Sequence, residues 1–292
     1  MRFDLFIIWG NGLKYIPEII SEIRNDNNFT IVRLKYHLFE DIDQFINSIY
    51  KCDTVPMEHL ISKTRYLFKH PKIIMAVLVK NLNPKELEVG SGNFRHLQCQ
   101  KINEIKNTIR SKFNPLFLDT EKQISPLPKG VSHEHCIHAT DYESQTEYLL
   151  EFLKMERISF YKRYDNLNIE IPWHVSFINA RIKIININSL GCRIINEGIK
   201  SIEETPHFQY LQGNKKNYID YVNKYIGIHL QEDHYPLRFD KLISCFDKNY
   251  GDLASIKSYI IIDSNNIIRD GLHRVAILKS IGEEVITCLE IW

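Results

Sequence analysis

At 292 residues the chain is longer than one hydrophobic core usually serves, which favours two domains over one. Its 44% apolar and 25% charged residues exclude a disordered chain, and 37 basic against 36 acidic side chains exclude a global field that steers DNA or an anionic membrane. Six cysteines without a C-x-x-C pair argue against a zinc ribbon and a disulfide framework, and no stretch nears the ~18 apolar residues of a membrane span, so the cytoplasm is the default.

Phe3 to Trp9 reads as a short strand, and Asn11-Gly12 as the turn into a helix whose Ile16, Ile19, Ile20 and Ile23 share one face. Phe29 to Leu38 alternates like a strand, Asp41 to Tyr50 and Met57 to Phe68 read as helices, and Ile73 to Lys80 as another strand. Ile102 to Arg110 is helical, and Pro115, Pro126 and Pro128 mark a loop from Asn114 to Gly130. His133 to His138 then reads as a strand, and Asp141 opens a helix to about Met155. The first domain is therefore expected over residues 1–155, as an α+β unit. Residues 156–185 show no clear period and are assigned to a connecting segment.

A second α+β domain is expected over residues 186–292. Ile182 to Ile187 and Cys192 to Ile195 read as strands, and Lys215 to Tyr225 and Leu237 to Phe246 as helices. Tyr259 to Asp263 and Ile267 to Arg269 form a hairpin, Leu272 to Ile281 a helix stopped by Gly282, and Glu284 to Ile291 a last strand.

The chemistry-bearing candidate is Asp270-Gly271-Leu272-His273-Arg274. Asp270 can cap the helix and Gly271 permits a tight turn, so the first-turn amides face an anion, with His273 and Arg274 as added donors. The alternative is a capped amphipathic helix whose Arg274 pairs with a surface acid. Upstream, Glu203 and Glu204 could supply a carboxylate base for a hydroxyl acceptor, with Thr205, His207 and Arg193 as substrate contacts; the alternative is a solvated cap before Pro206.

The run "IIRDGLHRVAILKSIGEEVITCLEI" resembles the ParB/sulfiredoxin superfamily, which includes free-serine kinases. The resemblance implies that Gly271, His273 and Arg274 hold a nucleotide such as ATP, that a glutamate serves as base, and that Mg²⁺ bridges the phosphates. Leu272 stands where a sulfiredoxin has its cysteine, and no ParB helix-turn-helix follows.

In the first half, "FDLFIIWGNGLKYIPEIISEIRNDNNFTIVRLKY", "KIIMAVLVKN", "IRSKFNP" and "CIHATDYESQTEYLLEFL" resemble successive blocks of nucleoside diphosphate kinases. This implies a ferredoxin-like domain in which His138 of His138-Ala139-Thr140-Asp141 is the histidine that carries a phosphoryl group. The family's first-strand lysine falls at Trp9.

His133 and His135 would share a strand face, but no acid or cysteine at zinc-like spacing joins them. Together these features point to a nucleotide-dependent phosphotransferase acting on a hydroxyl of a small metabolite, a sugar or amino-acid-like compound. The other class is a nucleotide-gated regulatory module of ParB type. Neutral charge argues against nucleic acid as partner, and the oligomeric state stays open, a homo-oligomer included.

Overall fold

A computed structural model describes residues 1–53, 55–89, 92, 95–114, 134–165, 169–225, 236–246 and 259–292. The chain divides into two compact units, Met1–His174 and Val175–Trp292. Both are mixed α/β.

In the first unit, β1 (Arg2–Ile8), β2 (Phe29–Leu38), β3 (Ile73–Asn81) and β6 (Ile137–Ala139) form an antiparallel sheet in the order β2-β3-β1-β6. This is the interleaved split β-α-β layout. Every residue of β1 is buried, as befits a central strand covered on both faces, and only Arg2 and Asp4 interrupt its apolar side chains. Asp4, the single acid in that run, is accommodated by Arg2 Nη2 at 2.8 Å and Asn81 Nδ2 at 2.9 Å. Gly10-Asn11-Gly12 opens a two-turn 3₁₀ helix, Gly10–Tyr15, which delays the first α-helix, α1, to Ile16–Asn25. Its Ile19, Ile20 and Ile23 bury against Phe6, Ile8 and Val77.

Helix α2 (Ile42–Ile49) is capped by Asp41, whose carboxylate accepts the Gln44 N–H at 3.0 Å. Helix α3 (Met57–Leu67) follows, and after β3 a two-stranded ribbon of β4 (Glu86–Val89) and β5 (His96–Cys99) that the sequence analysis did not assign. Helix α4 spans Gln100–Phe113, and α5 runs from Glu143 to Phe152 rather than to Met155, because Lys154 turns left-handed at φ 52°. The proline loop after Asn114, and His133, lie outside the described residues; the strand expected from His133 begins at Ile137. Within the expected connecting segment, α6 (Ile158–Arg163) belongs to the first unit and β7 (Ala180–Asn186) to the second.

The second unit holds a six-stranded mixed sheet in the order β7-β12-β10-β11-β8-β9. Its other strands are β8 (Gly191–Ile194), β9 (Gly198–Lys200), β10 (Ile260–Asp263), β11 (Ile267–Asp270) and β12 (Val285–Ile291). Strands β10 and β11 form a hairpin in which Asp263 Oδ1 accepts the N–H groups of Asn265 and Ile267, at 2.9 and 3.0 Å. Helices α7 (Pro206–Leu211), α8 (Lys215–Tyr225), α9 (Pro236–Phe246) and α10 (Leu272–Ser280) complete it. Helix α10 carries the crossover from the hairpin to β12, which lies parallel to β10. Its Val275, Ile277 and Leu278 bury in the same core as Tyr218 and Ile260, each contributing about 1.5–3 kcal/mol.

Candidate active site

Pairing of β6 with β1 sets Ile7 opposite His138. Ile137 and Ala139 enter the core against α1 and α4, so strand alternation turns His138 to the other face. There it is 5% exposed. Segments far apart in the chain converge around it: Tyr50 at the end of α2, Asp53 in the next turn, His59 of α3, His96 and Gln98 of β5, Lys106 and Arg110 of α4, and Asp141 just after β6. They line a cavity of about 170 Å³. Lys106 and Arg110 are one helical turn apart and so share a face of α4, beside the buried stripe of Ile102, Ile105 and Ile109.

The charges are ordered by short contacts. Asp141 accepts Gln98 Nε2 at 2.8 Å and has Lys106 Nζ at 3.9 Å and His96 Nε2 at 3.7 Å. Gln145, fully buried on α5, accepts the Asp141 N–H at 2.8 Å and donates its amide to Asp53 Oδ1. Asp53 Oδ2 lies 3.7 Å from His138 Nε2, and among the described residues that nitrogen has no hydrogen-bond partner. The Tyr50 ring packs on the imidazole at 4.7 Å between centroids. Arg110 donates to the Ile137 carbonyl from Nε and Nη2, at 3.3 and 3.1 Å.

Burial, reinforced by Lys106, Arg110, Lys63 and His59, holds His138 well below the usual imidazole range, so it is neutral near pH 7. Burial also brings Lys106 down to about 8, with Asp141 opposing the shift. Asp53 is pushed up to about 7 by burial and then by Asp141. A neutral imidazole flanked by cations, at the wall of a small polar cavity, can attack an electrophile that arrives as an anion. Trp9, where the kinase resemblance expects a lysine, is fully buried, and the Lys63 amine sits 5.0 Å over its ring.

In the second unit Gly271 is left-handed (φ 95°) and caps α10 without a side-chain cap bond. Asp270 therefore does not cap the helix as expected. Its carboxylate takes Arg274 Nη2 at 3.0 Å, and the same nitrogen donates to the Tyr259 carbonyl at 3.2 Å. The guanidinium lies so close over the turn that a Cβ at position 271 would stand 2.9 Å from Nη2. His273 turns inward, with Nε2 2.7 Å from the Tyr218 hydroxyl and its ring 4.5 Å from that of His207. The expected pair of anion donors is thus engaged with the protein's own acid and its own aromatic core.

The acidic turn has local roles. Glu204 accepts the N–H and hydroxyl of Ser201 at 2.9 and 2.8 Å, and Glu203 pairs with Lys279 at 2.8 Å. Thr205 caps α7 by accepting the Phe208 N–H at 3.2 Å. His207 is buried against Tyr218 and Phe239, and Arg193 is exposed on β8. The structure joins His207 to His273, whereas the contacts of Glu203 and Glu204 are with Lys279 and Ser201.

Sequence reading singled out His138 but not the side chains the structure brings around it: Asp53, Lys106, Arg110, Asp141 and Gln145. The one available signal was the pairing of two cations, four residues apart, beside the apolar stripe of α4. Among the described residues no cluster of three or more His, Cys, Asp or Glu side chains is set to hold a metal ion, so the expected Mg²⁺ finds no ligand set there. His135 instead has its Nδ1 3.1 Å from Asn114 Nδ2.

Each unit is mixed α/β, and the first holds a buried, histidine-centred polar cleft. No family model and no curated relative matches it. Among solved structures it is similar to a nucleoside diphosphate kinase of Aquifex aeolicus, at 13% identity and TM-score 0.32, over 52% of this chain and 93% of that one. It is also similar to the nucleoside diphosphate kinase of Borrelia burgdorferi described as a transition state mimic with bound vanadate and ADP, at 15% identity and TM-score 0.29, over 51% and 84%. Likeness this shallow bears on neither fold nor reaction, so the functional case rests on the cleft itself. No helix among the described residues is long and apolar enough to cross a membrane.

Proposed function

We propose that the first unit is a nucleotide-dependent phosphotransferase in which His138 accepts a phosphoryl group and passes it to a hydroxyl of a small metabolite. One observation carries the reading: a 5%-exposed imidazole, held neutral, lines a polar cavity together with two cations, Lys106 and Arg110. The cations bind the phosphate oxygens and draw charge from the phosphorus, while the neutral ring supplies the lone pair. The sequence resemblance to nucleoside diphosphate kinases around His138 supports the same assignment.

The turn at Gly271 supports a second, subordinate reading, in which the second unit binds the nucleotide. The left-handed glycine at the start of the nine-residue helix α10 favours it. Any phosphate there competes with Asp270 for Arg274.

The experiment is incubation with γ-labelled ATP. The expected result is an acid-labile, alkali-stable protein phosphate that His138→Ala abolishes. Absence of such a label from the wild type, with ATP, GTP and CTP each tried, would overturn the proposal. A thermal-shift panel with the same nucleotides separates the two readings: stabilisation lost in Lys106→Ala and kept in Arg274→Ala places the nucleotide in the first unit, and the converse places it at the turn.

A further inference from the structure

We infer that Asp53 is a positioning residue for His138: it holds the Nε2 proton, so that Nδ1 is the nitrogen that takes the phosphoryl group, and Gln145 fixes the carboxylate for this task. The inference rests on the phosphoryl-transfer reading above.

The geometry is a chain of three side chains with few alternatives. The Asp141 N–H can only donate, so the Gln145 atom that meets it at 2.8 Å is the carbonyl oxygen. The amide's other end is then its NH₂, which can only donate, and it faces Asp53 Oδ1. That bond pins one oxygen of Asp53 as an acceptor and leaves Oδ2 directed at His138 Nε2, 3.7 Å away. Both side chains are nearly out of solvent, at 6% and 8% exposure, so water screens little of their interaction. The distance is beyond a hydrogen bond but within reach of one small side-chain adjustment.

The other acid of the cleft is unsuited to the role. Asp141 is taken by Gln98, Lys106 and His96. Asp53 alone among the cleft acids has an oxygen toward His138.

The proposed step balances as follows. The Nδ1 lone pair attacks the terminal phosphorus of a nucleoside triphosphate, an N–P bond forms, and the P–O bond to the leaving nucleoside diphosphate breaks with its electron pair going to that oxygen. The ring gains a positive charge, which the Asp53 carboxylate meets through the Nε2–H. When the phosphoryl group moves on to the acceptor hydroxyl, the ring returns to its neutral Nε2–H form and the hydroxyl proton leaves to solvent.

The carboxylate acts only when ionised. Its neighbours are Asp141, Gln145, Lys106, His96, Tyr50, Cys52 and Tyr142, with His138 itself opposite, and His138 also faces Lys106, Arg110, Lys63 and His59. Burial, and then Asp141, place the Asp53 midpoint at about 7, so labelling by the wild type rises with pH through that region.

The test is Asp53→Asn, read in two ways. With the Gln145 NH₂ fixed, the new amide must turn its oxygen to Gln145 and its NH₂ to His138, which makes Nε2 an acceptor and puts the ring proton on Nδ1. ¹⁵N NMR of His138 at pH 8 is therefore expected to show Nε2–H in the wild type and Nδ1–H in the variant. Labelling is expected to fall on the order of 10- to 100-fold, the range for losing a partner that orients a functional imidazole, and the rise near pH 7 to vanish. An unchanged tautomer, or a variant that keeps the wild-type rate and pH profile, overturns the inference. Should Asp53→Asn not fold, Gln145→Met is read the same way, with a mixed tautomer expected and a pure Nε2–H form overturning it. The tautomer needs no nucleotide, so a wild type that never labels sinks the phosphoryl-transfer reading while the spectrum still judges Asp53.

Discussion

Each unit sets an acid and a cation near a histidine, and the two use them in opposite ways. At the Gly271 turn the partners are local: Asp270 and Arg274 are four residues apart and close on each other at 3.0 Å. Around His138 the partners come from positions 50 to 145, and after their pairing an imidazole nitrogen is still without a hydrogen bond among the described residues. A motif whose acid and cation stand four residues apart can satisfy itself, because the two are tethered within reach. A cluster assembled by topology can be left incomplete, and buried incompleteness is where chemistry is found.

The largest expected effect tests that contrast directly. His138→Ala removes the incomplete group and should lower phosphoryl labelling by on the order of 10³-fold or more, with the far-UV spectrum unchanged. Arg274→Ala, which breaks the satisfied pair, should leave labelling within about twofold. If the two results were exchanged, the functional centre would belong to the second unit.

Next comes Gly271→Ala. The new residue must hold φ 95° and its Cβ must displace Arg274 Nη2 from 2.9 Å. The expected cost is about 1–3 kcal/mol of stability, read by urea denaturation of the second unit's transition. No loss of labelling should accompany it, since in the leading proposal the phosphoryl group is carried by His138 in the first unit. Loss of nucleotide stabilisation without loss of stability would instead mark the turn as a ligand site.

Asp53 gives a pH test of somewhat smaller size. Its folded midpoint of about 7 lies above the ordinary carboxylate value of 3.8, so the folded state holds the proton more tightly. The stabilisation from that proton is complete below the unfolded pKa and is lost as pH climbs from about 4 to about 7. Asp53→Asn removes this dependence. It should be more stable than the wild type above pH 7, by about 1–2 kcal/mol after allowance for relaxation of the site, while being the poorer phosphoryl acceptor. Thermal unfolding at pH 5 and pH 8 checks it: equal pH responses in the two proteins would refute a strained acid in the cleft.

Much of the scaffold was readable in the sequence because it follows single periods. The apolar-rich run Phe3–Ile8 became a strand buried on both faces, and Ile16, Ile19, Ile20 and Ile23 a helix face. The ribbon β4–β5 escaped because each strand is only four residues long: Glu86-Leu87-Glu88-Val89 and His96-Leu97-Gln98-Cys99 alternate, but over too short a span to stand out, and Leu87 and Leu97 are exposed. Residues 156–185 escaped because α6 is only six residues long and the chain after it joins β2 through a single bridge, Arg33 to Ile171. The site followed the same division. His138 could be found from its own neighbourhood, but nothing near Asp53 or Gln145 in the sequence says that they meet 92 residues apart.

The smallest expected effect concerns Thr205, which sequence reading placed among substrate contacts. Its hydroxyl has two bonds already, accepting the Phe208 N–H at 3.2 Å and donating to the Ile202 carbonyl at 2.7 Å, and the residue is fully buried. A hydroxyl so committed at the start of α7 acts as a helix cap. Thr205→Ala should cost about 1 kcal/mol, seen as a lower urea midpoint with an unchanged slope. Thr205→Ser keeps the oxygen and should recover most of that loss, because the cap depends on the oxygen while the missing methyl removes only a little packing. A substrate contact would show a different signature, with stability untouched in the alanine variant and KM raised. The pair of variants therefore decides whether this part of the second unit, like the Gly271 turn beyond it, has its polar groups occupied by the fold.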